Sequence, residues 1–153
     1  MLNRNNNLKV TIMKIQKVTP FLWFDNQAAE AAKFYTSIFR NSEVLSSNPM
    51  VTHLSLEGQQ LLFLNGGPIF KLTEAFSLSV LCETQEEIDY YWSKLSAGGS
   101  EGQCGWLKDK FGLSWQVVPT ILTQLLSDPS KTERVTQAFL KMKKFDIAKL
   151  LEA

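Results

Sequence analysis

Two segments of this chain have the same order of features, and this internal repeat limits the fold more than any other property of the sequence. The first, FLWFDNQAAEAAKFY, begins at Phe21, and the second, FSLSVLCETQEEIDYYW, begins at Phe76. Each contains an apolar strand, an acidic cap region and a helix rich in aromatic residues. A repeated unit usually cannot bury its apolar face alone. The two copies are therefore predicted to pack side by side or to pair across a dimer.

The strands after the first helix complete the first unit. Apolar and alternating residues predict strands at 18–24, 42–47, 51–56 and 61–65, with a helix within 26–39. Asp25 and Asn26 are residue types that cap helices, so they are predicted to begin that helix. Asn48-Pro49 indicates a turn, and Glu57-Gly58 has the composition of a hairpin turn.

The second unit has strong local signals. Thr84 and Glu87 have the spacing of a capping box, and Gly98-Gly99 ends the helix that the box begins. The run DKFGLSWQVVP, from Asp109 to Pro119, is predicted to be a tight turn followed by a strand. Strands are predicted at 76–82, around 103–108 and at 113–118.

The rest of the chain divides into an extension and a tail. Residues 1–12 are interpreted as a poorly ordered N-terminal extension, with a short edge strand at 8–12 as the alternative. Residues 13–153 form one domain, with modules at about 14–70 and 71–119 and a helical tail at 120–153. In the tail, Ser130 and Glu133 predict a second capping box that opens a helix to about residue 144. Asp146 is predicted to cap a last short helix.

Composition excludes several classes of function. The 153 residues contain 16 Lys and Arg against 15 Asp and Glu, and this balance is not that of a nucleic-acid-binding surface, which is normally basic. No apolar run approaches the roughly 18 residues of a membrane-spanning helix. Cys82 and Cys104 are the only cysteines. A chain with a large core does not need a disulfide, so reduced thiols and a cytoplasmic location are expected.

Long motifs in this chain resemble a known family. FLWFDNQAAEAAKFY, LNGGP, CETQEEIDYYWSKL, EGQCGWLKDKFGLSWQVVP and KMKKFDIAKL together resemble the PhnB-like, or 3-demethylubiquinone-9 3-methyltransferase domain, branch of the vicinal oxygen chelate superfamily. The resemblance implies the glyoxalase/bleomycin resistance fold, an α+β architecture. In that fold, paired βαβββ modules form a curved mixed sheet around a cleft, commonly in a homodimer. The segment 42–51 is shorter than the hairpin expected there, so a lid built from it is not assumed.

The resemblance also permits a test for metal chemistry. Superfamily enzymes hold a divalent ion with His, Gln and Glu from four strands. The matching positions in this chain are Pro20, Phe76 or Ser77, Leu64 or Asn65, and Gln116. Gln116 alone resembles a ligand in kind, and the single histidine, His53, does not supply a ligand set. We therefore expect no metal and no cofactor.

Methyl transfer and thiol chemistry have equally little support in the sequence. A usual methyltransferase needs a glycine-rich turn between a strand and a helix, whereas Gly66-Gly67 is followed by proline and Gly98-Gly99 follows a helix. Cys104 lies in QCGW beside the predicted turn. A reactive thiol needs a base or a positive neighbour, and no histidine is near Cys104 in sequence. An inert thiol is therefore the favoured interpretation.

The sequence thus predicts a metal-free homodimer that binds a small apolar or aromatic molecule in its cup. Gln116 and Asn65 are the candidate hydrogen-bonding residues, Trp23 and Trp106 the candidate walls, and Cys104 a further candidate in the pocket. Two alternatives stay open. One is an enzyme: a metal-dependent lyase, isomerase or dioxygenase, or the 3-demethylubiquinone-9 3-methyltransferase of the family description. The other is a dimeric interaction module whose cup is filled by its own side chains.

Overall fold

The computed structural model describes residues 16–153, so the predicted extension and its alternative edge strand lie outside the described residues. The elements follow in this order: β1 (Phe21–Phe24), α1 (Ala28–Ile38), β2 (Ser42–Ser47), β3 (Val51–Leu56), β4 (Gln59–Asn65), β5 (Ser77–Cys82), α2 (Gln85–Ser96), β6 (Ser100–Glu101), β7 (Trp106–Lys108), β8 (Ser114–Pro119), α3 (Ile121–Leu126), α4 (Thr132–Phe139) and α5 (Ile147–Glu152). In this part of the chain, no helix is long and apolar enough to cross a membrane.

The strands form two four-stranded sheets of the same design. The first sheet has the order β1-β4-β3-β2, and the second has the order β5-β8-β7-β6. In each sheet the first and last strands of the module are parallel neighbours, and the other pairings are antiparallel. Each sheet with its helix is one βαβββ module. The predicted α+β fold with paired modules and a helical tail is confirmed.

Both modules share one hydrophobic core, which lies on the helix side of each sheet. The ring of Tyr35 in α1 lies 5.8 Å from Phe63 of the first sheet and 5.3 Å from Trp115 of the second. Phe39 stacks on Trp115 and on Tyr91 of α2. The helix sides of the two sheets therefore meet at these rings. The remaining face of each sheet, its open face, lies on the side away from this shared core.

Asp109 fastens the β7–β8 turn to the first helix. Its carboxylate accepts hydrogen bonds from the Tyr35 hydroxyl at 2.6 Å and the Trp115 indole at 2.8 Å. It also accepts the backbone N–H groups of Phe111 and Leu113. Burial raises the pKa of Asp109, and these hydrogen bonds lower it in part. Burial first, and then Asp109, raises the pKa of Tyr35 well above its usual value.

The structure contains the turn and the two helix caps that were predicted from residues close together in the sequence. Glu57 and Gly58 have φ of +48° and +85° in the hairpin turn between β3 and β4. Thr84 accepts the N–H of Glu87 at 3.2 Å, and Asp146 accepts the N–H of Lys149. The reciprocal half of the Thr84 box differs in detail, because the Glu87 carboxylate accepts the N–H of Glu83.

Three predictions at the ends of elements are wrong. Strand β1 begins at Phe21 and not at residue 18, directly after Pro20, which has no N–H to donate. Neither Asp25 nor Asn26 caps α1, whose N-cap is Gln27 without a side-chain hydrogen bond. Of the strand predicted around 103–108, only Trp106–Lys108 is a strand, because residues 103–105 form the turn from β6.

The second predicted capping box is also wrong. Helix α4 begins at Thr132 with no side-chain cap, and the Ser130 hydroxyl donates to Asp128 instead. The helix ends at Phe139, five residues before the predicted end near 144. The carbonyls of Met142 and Lys143 accept N–H groups from the β6–β7 turn, so these residues have left the helix to hold that turn.

Candidate ligand-binding site

The open face of the second sheet brings together two of the predicted site residues. Trp106 of β7 and Gln116 of β8 are direct cross-strand partners, so their side chains lie on one face. The Gln116 amide donates to the Ser77 hydroxyl at 3.0 Å. No hydrogen bond within residues 16–153 engages the Gln116 carbonyl oxygen or the Trp106 indole N–H. One acceptor and one donor are thus available side by side.

A buried hydroxyl, that of Ser114, lies close to this pair on β8 itself. Ser114 is two residues from Gln116 on β8 and pairs with Ser77 on β5. Among the described residues its Oγ is the one buried side-chain polar atom without a hydrogen-bond partner. A buried hydroxyl without a partner costs free energy. At this end of the open face, the Ser114 hydroxyl therefore still has an unused capacity for hydrogen bonding.

The part of the first open face that β1 and the end of β4 form is apolar. Phe21, Trp23, Leu62 and Leu64 lie on it by register. The Trp23 indole N–H donates to the carbonyl of Gly67 at 2.8 Å, and Phe70 contacts the ring edge-on. Trp23 therefore offers an apolar surface with its polar atom already engaged.

Asn65 lies at the end of β4, and both ends of its amide are engaged. Its oxygen accepts the N–H of Ala28 at 2.8 Å, and its nitrogen donates to the carbonyl of Pro49 at 3.0 Å. The first bond satisfies a free donor at the start of α1. Asn65 thus performs the capping that sequence analysis assigned to Asp25 and Asn26. Its assignment as a ligand contact stays a prediction.

Cys104 contacts the C-terminal tail, and in this it differs from Trp106 and Gln116. It has φ of +56° in the β6–β7 turn, its N–H donates to Met142, and its thiol contacts the Phe139 carbonyl at 3.6 Å. These contacts hold the tail against the turn. Cys82 is buried on β5, where burial first and then Glu87 raise its pKa to about 12. At neutral pH the Cys82 thiol is therefore protonated and a poor nucleophile.

The donor set on the open faces does not fit the metal site that the superfamily implies. Within residues 16–153, no three His, Cys, Asp or Glu side chains are grouped so as to hold an ion. His53, on the open face of the first sheet, is hydrogen-bonded through Nε2 to Gln60. The direct register partners of Gln116 are Ser79 and Trp106, and neither is a metal ligand. We derive no step through a metal ion.

The structure also contains a cleft that sequence reasoning did not find. The junction cleft, about 970 Å³, lies between the modules and is lined by none of the five predicted site residues. Its floor includes Phe39, Leu61, Leu78, Tyr91 and Trp115. In the sequence, the signal for this cleft is the pair of adjacent tyrosines, Tyr90 and Tyr91, close to the acidic start of their helix. The sequence does not reveal which of these rings lies at a boundary between modules.

Two βαβββ modules, each with a helix on one face and an open face on the other, define the glyoxalase/bleomycin resistance class of proteins. The family model described as 3-demethylubiquinone-9 3-methyltransferase matches residues 16–118. A solved structure from Bacillus cereus, described as a PhnB protein and 3-demethylubiquinone-9 3-methyltransferase, is 36% identical. It covers 69% of this chain and 100% of its own, with a TM-score of 0.63. The chain belongs to this PhnB-like family.

More distant structures agree on the fold alone. Protein PA1353 from Pseudomonas aeruginosa is 20% identical, covers 69% of this chain and 98% of its own, and has a TM-score of 0.56. The fosfomycin resistance protein FosX from Listeria monocytogenes, solved with Mn(II) and sulfate, is 16% identical. It covers 74% of this chain and 97% of its own, with a TM-score of 0.55. A comparison with curated proteins gave no match.

Proposed function

We propose that this protein binds a small, partly aromatic molecule between two copies of the chain, without a metal ion. The observation that carries the proposal is the direction of the two open faces. In one chain the helix sides of both sheets share a core, so neither open face can enclose a ligand by itself. A cup forms when the first sheet of one subunit faces the second sheet of its partner.

The two open faces are chemically complementary. The first sheet offers apolar walls, including Trp23, and the second offers the Trp106 donor and the Gln116 acceptor. Small-molecule sites commonly combine apolar walls with a few polar groups that fix orientation. The ligand therefore has an apolar or aromatic body and carries both a hydrogen-bond donor and an acceptor.

The proposal favours binding or sequestration over catalysis, because residues 16–153 do not form the metal site or methyl-donor site expected of a catalyst. The available donors do not fit a metal ion, and within residues 66–76 no helix follows Gly66-Gly67 to cradle a methyl donor. The two unpaired thiols, Cys82 and Cys104, support a reducing, cytosolic location.

A thermal-shift screen with small aromatic compounds and quinones tests binding. We expect at least one compound to stabilise the protein, because a ligand that binds only the folded state raises its stability. For that compound, Gln116→Leu should weaken binding about three- to tenfold, the worth of one hydrogen bond. The exposed Gln137→Leu is the matched control and should leave binding unchanged.

Two outcomes would contradict this function. Stoichiometric metal in purified protein, lost on Gln116→Ala, would indicate a metal enzyme instead. If no compound stabilises the protein, the interaction-module alternative is favoured.

The dimer is tested separately by light scattering after gel filtration. Phe21 on the first sheet is 55% exposed and Leu81 on the second is 66% exposed. Phe21→Glu or Leu81→Glu should convert dimer to monomer without loss of helical circular dichroism, because a charge would be desolvated at the interface. Leu151→Glu, at a 56% exposed position on α5, should leave the dimer intact. A wild-type monomer would overturn the composite cup.

A further inference from the structure

The junction cleft runs along β5, the edge strand of the second sheet. Its lining includes Leu78 and Val80 from the helix side of that sheet and Ser79 and Leu81 from the open face. The cleft is bounded by the end of α1, the β3–β4 turn, β5 and the first turns of α2. None of Trp23, Trp106 and Gln116 lines the cleft, so its contacts are distinct from those of the proposed cup.

The floor of the cleft is aromatic. Phe39 stacks on Tyr91 with ring centroids 5.0 Å apart, and Tyr90 meets Tyr91 edge-on at 5.1 Å. The Tyr90 hydroxyl donates to the Ile38 carbonyl, whereas no hydrogen bond in the described part of the chain engages the Tyr91 hydroxyl. A flat ring entering here meets ring faces and one free hydroxyl.

The rim of the cleft is negatively charged. It contains the carboxylates of Glu57, Glu86 and Glu87 against one guanidinium, that of Arg40. No ion pair among the described residues neutralises these groups. The pKa of Tyr91 is raised by burial first and then by neighbours that include Glu57 and Glu87. The negative potential thus reaches the aromatic floor.

We propose that the junction cleft is a second small-molecule site, specific for a planar aromatic compound that carries a positive charge. An aromatic body buries apolar surface against Phe39 and Tyr91. A cationic group gains from the carboxylate rim and from the Tyr91 ring, whereas the Tyr90 ring already has Lys94 Nζ 6.0 Å from its centroid. The same rim repels an anion, so charge selects among aromatic ligands.

Three probes with one ring and different charges test the site on the full chain. They are benzyltrimethylammonium, benzyl alcohol and phenylacetate, titrated with ¹⁵N-labelled protein and followed by backbone chemical shifts. The cation should bind saturably, at least about fivefold more tightly than the alcohol, and phenylacetate should not bind. The shifts should centre on Tyr91 and Leu78.

Neutralising the rim gives the decisive variants. The double change Glu57→Gln and Glu86→Gln should weaken binding of benzyltrimethylammonium about tenfold, at roughly threefold for each exposed charge. Binding of benzyl alcohol should not change. Glu30→Gln with Glu133→Gln alters the net charge equally at exposed positions outside the cleft and should have no effect.

Several results would overturn the site. They are equal binding of all three probes, equal losses in the control pair, or no saturable binding, as when a second copy covers the cleft. Shifts centred on Trp106 and Gln116 would assign the cation to the cup instead. Gln116→Leu and Phe21→Glu change no residue that lines the cleft, so with these variants either site can fail while the other stands.

Discussion

The two modules have the same topology, but they solve the same local problems with different residues. At the end of each parallel strand pair, Asn65 lies beside Phe24 in the first sheet and Pro119 lies beside Cys82 in the second. Asn65 caps α1 from across the sheet, whereas proline has no side-chain acceptor. The second module therefore caps its helix locally, through Thr84.

The open faces of the two sheets also have different residues at corresponding positions. Counted back from those strand ends, Gln116 corresponds to Leu62, and its neighbour Trp106 corresponds to His53. The turns differ too: Asp109 of the second module is buried, whereas Glu57 of the first is exposed. One repeated fold thus has leucine and histidine in one copy where the other has glutamine and tryptophan. Within residues 16–153, only the second copy has a structural latch, which is the buried Asp109 with its hydrogen bonds to Tyr35 and Trp115.

The largest expected effect comes from removing the latch. Asp109→Ala leaves the Tyr35 hydroxyl, the Trp115 indole and two backbone N–H groups without their acceptor. We expect a loss of about 3–5 kcal/mol in the free energy of unfolding, measured by urea denaturation. Glu57→Ala in the corresponding turn should cost less than about 1 kcal/mol. Equal losses would remove the distinction between the turns.

Removing the Tyr35 hydroxyl, which donates to Asp109, should reduce the free energy of unfolding less than Asp109→Ala does. The loss should also depend on pH. Tyr35→Phe should cost about 1–2 kcal/mol at neutral pH, the worth of one hydrogen bond to a buried carboxylate. The folded pKa of Tyr35 is raised, so the folded state holds this proton more tightly than the unfolded state. Stability from this group is present below about pH 10 and falls as pH rises above it.

Urea denaturation of wild type and Tyr35→Phe between neutral and strongly alkaline pH measures this term. The difference in stability between the two proteins should shrink above about pH 10. A difference that stays constant would mean that Tyr35 does not titrate in the window that its burial predicts.

The two helix caps should have similar energies despite their different origins. Thr84→Ala should destabilise the protein by about 1 kcal/mol. Asn65→Ala should cost the same or slightly more, because it also removes the bond to Pro49. Gln27→Ala, at an N-cap without a side-chain hydrogen bond, should change stability by less than about 0.5 kcal/mol. If Gln27→Ala were as costly as Asn65→Ala, capping across the sheet would be disproved.

A small effect on stability is also expected on the open face. Gln116→Leu gives the second sheet the residue of the first, and it removes one hydrogen bond to the half-buried Ser77. We expect less than about 1 kcal/mol in the free energy of unfolding. A much larger loss would show that Gln116 is structural, and its effect on ligand binding would then have to be measured on folded protein only.

Much of the fold was readable from the sequence because its signals are local. The Glu57-Gly58 turn, the Thr84 cap and the Asp146 cap each depend on residues no more than four positions apart. Apolar periodicity predicted the strands and helices for the same reason. The Ser130 box failed because Asp128 competes for the serine hydroxyl, an interaction that a two-residue motif does not include.

The sequence by itself determined the repeated strand and helix order, the local turns and caps, and the residue types at Trp106 and Gln116. Only the tertiary structure decided how these parts face one another. Asn65 meets Ala28 across 37 positions and Tyr35 meets Asp109 across 74. Such contacts depend on how the modules pack, because burial of a shared core selects the partners. That packing put each open face on the side away from the shared core and left a cleft between the modules.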